Sequence, residues 1–289
     1  MTQHWATLET VGGTAVLRFV RRLDHPPDVV WHAITDPDEL KHWFPATVAY
    51  HGTAPGTELR FDLQGQHSTG EILAYDPPKV FAFRWQADVL RFELAPDGAG
   101  CRLRFSHTVD ESGGGALAAG RNAAGWDVCL DGLSARLEGR EPEPPEDMFA
   151  LIEAYLGRFG LSRGEVVDTG DGHEIRFARD LVWRPVERTW ATLTGGEEPQ
   201  LGAAPPEPAT VPEIPAGRVT DVTPHHALEY EWLHDGQPRG RLRWEITVDP
   251  EAGHRIVLTQ EIPDGVTGLE TTALAAWERR LKEIFAALA

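Results

Sequence analysis

The sequence predicts an α+β protein built from two copies of one domain, each closed by a long amphipathic helix. Two observations carry this. Trp126, Leu130, Leu133 and Leu137 recur at spacings of four, three and four, which lays one apolar stripe along a helix of 3.6 residues per turn. Trp277, Leu281, Ile284 and Leu288 repeat the stripe, each 151 residues after its counterpart. A fixed interval of this kind is the mark of a duplication. Ahead of the first helix, short alternating runs broken by turn residues have the period and spacing of an antiparallel meander.

A chain of 289 residues has room for two ordinary domains, and 41% hydrophobic with 25% charged residues suits a soluble globular protein with a sizeable core. No run approaches the roughly 18 apolar residues of a membrane span. The opening MTQHWATLET has neither a basic nor an apolar leader region, so no secretory signal is expected. Cys101 and Cys129 fall in no metal or redox spacing. A cytoplasmic protein with free thiols follows as the expectation. Asp and Glu outnumber Lys and Arg by 45 to 27, a formal charge of −18, which argues against nucleic acid or an anionic membrane as partner.

In order along the chain, Leu8 to Val11 and Ala15 to Leu23 read as strands joined at Gly12-Gly13. Pro26-Pro27 stops the second, and Val30, Trp31 and Ile34 fit a short helix from Asp28 to Thr35. Asp36-Pro37-Asp38-Glu39 has the order of a helix start: an Asp cap, Pro in the first turn and Glu three residues on. Capping, rather than metal binding, explains that acidic cluster. The strands expected next are Thr57 to Leu63, His67 to Tyr75, Val80 to Trp85, Val89 to Leu94 and Arg102 to Val109. A Gly-rich loop then leads into the helix expected from Ala116 to Leu137. GREPEPPED, residues 139 to 147, reads as an acidic Pro-rich linker, and Met148 to Phe159 as a helix packed on one or both domains.

The earlier pattern then returns. Leu17-Arg18-Phe19 with Arg21 and Leu23 matches Ile175-Arg176-Phe177 with Arg179 and Leu181, and Pro26 with Trp31 matches Pro185 with Trp190. Gly70, Pro77 and Trp85 are echoed by Gly217, Pro224 and Trp232, each 147 residues later. The expected division is a first domain over 1–138, a linker and connecting helix over 139–160, and a second, divergent domain over 161–289. In the second copy PQLGAAPPEPATVPEIP, residues 199–215, stands where the first has a helix end and an early strand. So many prolines cannot serve in a central strand, so an irregular excursion and an altered cavity are expected there.

These residues resemble the START-like, helix-grip superfamily, also called SRPBCC. Within it they look most like bacterial relatives of the activator of the ninety-kilodalton heat-shock chaperone's ATPase. The likeness rests on Leu17 to Leu23 with Pro26-Pro27 and Val30-Trp31, on Thr35 to Leu40 with Trp43-Phe44, and on Gly70-Glu71-Ile72, Asp76-Pro77-Pro78, Phe81 to Trp85, His107 and Gly125-Trp126. It implies two tandem helix-grip (START-like) domains, each a curved antiparallel sheet wrapped around its long C-terminal helix, with two short helices filling one end. It also implies a mostly apolar cavity between sheet and helix that suits a hydrophobic small molecule. The fold hosts lipid carriers, hormone receptors, polyketide cyclases and chaperone regulators, and so names no function.

Candidate site residues follow from that placement. Strand parity sets His107 with Leu103 and Phe105, facing the helix that carries Asn122 and Trp126. There it is either a core histidine bonded to backbone or to Asn122, or a group that orients a ligand or acts as general acid or base. Trp43, Phe61, Phe83, Trp85 and Trp126 give an aromatic lining that core packing explains equally. His67, alternating with Thr69 and Glu71, either lines the cavity or faces solvent. Asp127 points about 100° away from Trp126 and is expected in solvent. In the second copy Gln260 aligns with His107, and Ala276-Trp277 replaces Gly125-Trp126.

No phosphate-binding, dinucleotide or nucleophile-elbow motif is complete, and His225-His226 reads as exposed. No metal or cofactor is expected. Three functions remain open: binding of an apolar small molecule by the first domain, with a structural or partner-binding second domain; a polyketide cyclase or aromatase that uses His107; and a chaperone-regulator-like interaction protein whose partner the sequence does not name.

Overall fold

The computed structural model describes residues 5–170, 172–182, 184–249, 253–266 and 268–288. Residues 1–4, part of the stretch read for a leader, and residue 289, the expected end of the second domain, lie outside the described residues. The chain divides into two compact units, residues 1–155 and 156–289.

The first unit opens with the hairpin β1 (Thr7–Val11) and β2 (Thr14–Leu23). Its turn needs Gly12 and Gly13, both at positive φ. Helices α1 (Pro27–Thr35) and α2 (Pro37–Leu40) follow. The Asp36 carboxylate accepts the Asp38 N–H at 2.8 Å, as a helix cap should. Glu39 reaches the far end of the domain instead, accepting two bonds from Arg136 at 2.8 and 2.9 Å. Among the described residues no cluster of three or more His, Cys, Asp and Glu could hold a metal.

Strands β3 (Thr47–Tyr50), β4 (Glu58–Leu63), β5 (Gln66–Asp76), β6 (Val80–Trp85), β7 (Asp88–Asp97) and β8 (Gly100–Val109) complete an antiparallel sheet in the order β1-β2-β8-β7-β6-β5-β4-β3. The sequence reading did not include β3, which is four residues long, lies at the sheet's edge and pairs only with β4. Gly70 is required on β5, because a Cβ there would sit 1.8 Å from the Arg84 carbonyl oxygen. Two short 3₁₀ turns lead into α3 (Ala119–Glu138), whose Trp126, Leu130 and Leu133 are buried. Helix α4 (Met148–Phe159) comes next in the chain.

The second unit repeats the plan with two strands fewer. Strands β9 (Glu165–Asp168), β10 (Gly172–Val182), β11 (Ala216–Thr223), β12 (Ala227–His234), β13 (Gln237–Asp249) and β14 (Gly253–Pro263) pair in the order β11-β12-β13-β14-β10-β9. Helix α5 (Val186–Thr194) stands where α1 stands in the first unit, and α6 (Glu270–Leu288) buries Trp277, Leu281, Ile284 and Leu288. Counterparts of β3 and β4 are replaced by the Pro-rich excursion, which holds one 3₁₀ turn at Glu207–Ala209. That excursion is pinned from inside the domain: the Ala209 carbonyl accepts from Tyr230 Oη at 2.5 Å and Trp244 Nε1 at 3.0 Å.

The register around one inward position is the same in both units. Leu17 and Leu90 flank His107 on the neighbouring strands, while Ile175 and Leu242 flank Gln260. Gly217, the echo of Gly70, would likewise press a Cβ to 3.1 Å from the carbonyl of Glu231, the echo of Arg84. Among the described residues no helix is long and apolar enough to cross a membrane.

Candidate functional site

The inner face of the first sheet and the facing side of α3 are joined by rings. Trp85 stacks on Phe61 at 4.7 Å and 15°, Phe44 lies 5.5 Å from Trp85 and 5.6 Å from Trp126, and Trp126 lies 4.6 Å from Phe105. Phe83 and Trp43 extend the cluster, with centroids 6.3 and 6.1 Å from Phe92. Aromatic pairs in this range contribute beyond the burial of their apolar area. Trp43, Phe61, Phe83 and Trp126 are buried, whereas Trp85 is only half-buried and donates its indole N–H to Ser68 Oγ at 2.9 Å.

His107 is buried beside this cluster, and its tautomer follows from its partners. Trp126 Nε1 donates to His107 Nδ1 at 2.8 Å. An indole nitrogen only donates, so Nδ1 carries no proton and Nε2 carries it. That Nε2–H points at Asp88 Oδ2, 2.8 Å away, while Asp88 Oδ1 accepts the Asp110 backbone N–H at 2.8 Å. Both ring nitrogens are engaged. The partner is Trp126 rather than the backbone or Asn122 expected from sequence. Asn122, one turn earlier on α3, is half-buried and has no hydrogen-bond partner among the described residues. Asp88 was missed because it sits 19 residues from His107. Its position at the start of β7, beside the end of β8, is the signal that could have found it.

Two other expectations are corrected. His67 does not line the interior: its side chain is 79% exposed and lies 3.9 Å from Asp62. Inward positions on β5 include Ser68, bonded to Trp85, and the fully buried Ile72, so His67, Thr69 and Glu71 take the outer face. Asp127 is not solvated but buried, and it pairs with the equally buried Arg21 from the inner face of β2. Tyr155 of α4 bonds to the same carboxylate. Burial raises the Asp127 carboxyl above its ordinary value against the pull of Arg21, and burial likewise raises the Tyr155 phenol. Burial acts on the two thiols in the same way, pushing Cys101 up to about 11 and Cys129 to about 12.

The second unit keeps half of the His107 arrangement. Trp277 Nε1 donates to Gln260 Oε1 at 2.7 Å, as Trp126 does to His107. Gln260 is fully buried, and its Nε2 has no hydrogen-bond partner among the described residues. Among the described residues no carboxylate answers it as Asp88 answers His107.

Residues 24–138, from the end of β2 to the last residue of α3, match the profile of the Activator of Hsp90 ATPase homolog 1-like protein family. Over those residues the first domain is similar to this family. No curated protein matches the chain. Among solved structures, the chain is similar to EF2215 of Enterococcus faecalis, a conserved protein of unknown function, at 22% identity over 54% of this chain and 90% of that one, with a TM-score of 0.47. It is similar to CalU16 of Micromonospora echinospora at 22% identity, over 54% of this chain and 94% of that one, with a TM-score of 0.43. DynU16, a putative protein in the dynemicin biosynthetic locus, aligns over 94% of this chain and 97% of its own at 18% identity, with a TM-score of 0.42.

Proposed function

We propose that the first domain binds a flat apolar small molecule against its ring cluster, while the second domain is structural or partner-binding. The observation that carries this reading is the half-buried Trp85 at one end of an otherwise buried aromatic stack. A flat guest extends such a stack at little conformational cost. Asn122, half-buried and with no side-chain hydrogen bond among the described residues, supplies a donor and an acceptor for one polar group on the guest. The His107 network holds Trp126 in orientation rather than touching the guest. Native mass spectrometry of the full chain with 2-naphthol tests the reading: a one-to-one adduct that Trp85→Ala removes supports it. Absence of any adduct with flat apolar probes counts against it.

A second reading, an enzyme of cyclase or aromatase type, draws on the Asp88–His107 pair, since a carboxylate-oriented imidazole is a familiar acid–base device. It requires the ring to let go of Trp126 or Asp88 during turnover. Any turnover that survives His107→Gln removes it.

A further inference from the structure

The duplication leaves a vacancy in the second unit that the first has filled. In the first unit Tyr75 packs edge-on against Trp31 of α1 at 5.1 Å, and Tyr50 of β3 donates its hydroxyl to the Thr35 carbonyl at the end of that helix. The Thr35 hydroxyl is spent on the Trp31 carbonyl, 2.7 Å away. The matching residues of the second unit are Trp190 and Thr194 on α5, with Val222 where Tyr75 stands. The strand that carries Tyr50 has no counterpart. A cleft of about 370 Å³ opens there, lined by Trp190, Thr194, Pro199, Val222, Pro224 and His225 and edged by carboxylates.

Three features give the cleft a chemistry. Thr194 is 1% exposed, and its hydroxyl has no hydrogen-bond partner among the described residues, so a buried polar group is left for an incoming one. Trp190 and His225 lie 6.0 Å apart and, with the two prolines, form an apolar wall. Glu187, Glu197 and Glu198 stand at the edge, and none has an ion-pair partner among the described residues. A rim of unpaired carboxylates beside an indole attracts a cation and repels an anion.

We propose that this cleft is a binding site for a small organic cation, an amine or guanidine carried on a ring-sized apolar body. The body replaces Tyr75 of the first unit against Trp190, the charged head lies among the three glutamates, and the Thr194 hydroxyl meets a polar atom of the guest. The site is separate from the aromatic cluster of the first unit and takes a different class of ligand.

Isothermal titration calorimetry of the full chain with phenethylamine, phenethyl alcohol and phenylacetate tests it. Phenethylamine is expected to bind at least about tenfold more tightly than the alcohol, a difference of about 1.4 kcal/mol, and phenylacetate not at all. Val222→Tyr, which restores the ring of the first unit, is expected to abolish binding. The exposed-loop variant Glu197→Gln with Glu198→Gln is expected to erase the preference for the amine while leaving the unfolding midpoint in place. The proposal is overturned if phenethylamine fails to bind at millimolar concentration, if the three probes bind alike, or if Val222→Tyr folds and binds as before.

Discussion

Replacing His107 separates its two bonds, because the second unit shows what one of them looks like alone. His107→Leu keeps most of the volume but leaves the buried Trp126 indole N–H without an acceptor, which costs about 1–3 kcal/mol. Asp88 loses a donor too, yet its side chain is 24% exposed, so water takes that place at little cost. A total near 2 kcal/mol corresponds to roughly 30-fold faster exchange of the amides in β8. His107→Gln behaves differently. Gln260 already accepts from Trp277 at 2.7 Å in the same register, so the indole bond survives and the loss stays at or below about 1 kcal/mol, roughly fivefold. Hydrogen-exchange mass spectrometry of the full chain reads β8 directly, with β14 of the second unit as internal reference. Wild-type exchange in His107→Leu, or equal loss in the two variants, refutes the reasoning.

Asp127→Ala strands the buried Arg21 guanidinium and should cost about 3–5 kcal/mol in the first domain, measured as lost protection of β2 in the same exchange experiment. The pH dependence has a definite sign. Burial raises the Asp127 carboxyl in the folded state, so between the ordinary and the raised value the folded chain holds a proton that the unfolded chain has lost. Stability from this group therefore grows as pH falls through that window, and the wild type should gain on Asp127→Asn between neutral pH and about pH 4. Cys101 and Cys129, their thiols pushed up to about 11 and about 12, should resist iodoacetamide at pH 8 in the folded protein and react once urea unfolds it.

What the sequence made legible is what depends on repetition along one element. The α3 and α6 stripes, the β2 alternation and the Asp36 cap are local patterns, and each is present in the structure. Features set by a third element were hidden. Asp127 lies off the Trp126 stripe, and a single helix facing one sheet would leave it in water; Arg21 from the sheet and Tyr155 from α4 enclose it instead. The His107 partners are distant in sequence, so parity could aim the ring inward but could not choose between Asn122 and Trp126. His67 failed for a related reason: alternation says which residues share a face, not which face is inner, and on β5 Ser68 and Ile72 take the inside. β3 was missed because four residues between Pro45 and His51 carry too short a period to read.

The claim that the first unit, and not the second, holds an apolar guest is tested most directly by indole ¹⁵N–¹H spectra of the full chain titrated with 2-naphthol. The account predicts shifts confined to the first-domain tryptophans, with Trp85 and Trp126 foremost, while Trp244 and Trp277 stay in place. Shifts at Trp244 and Trp277 alone, or none anywhere, would contradict it.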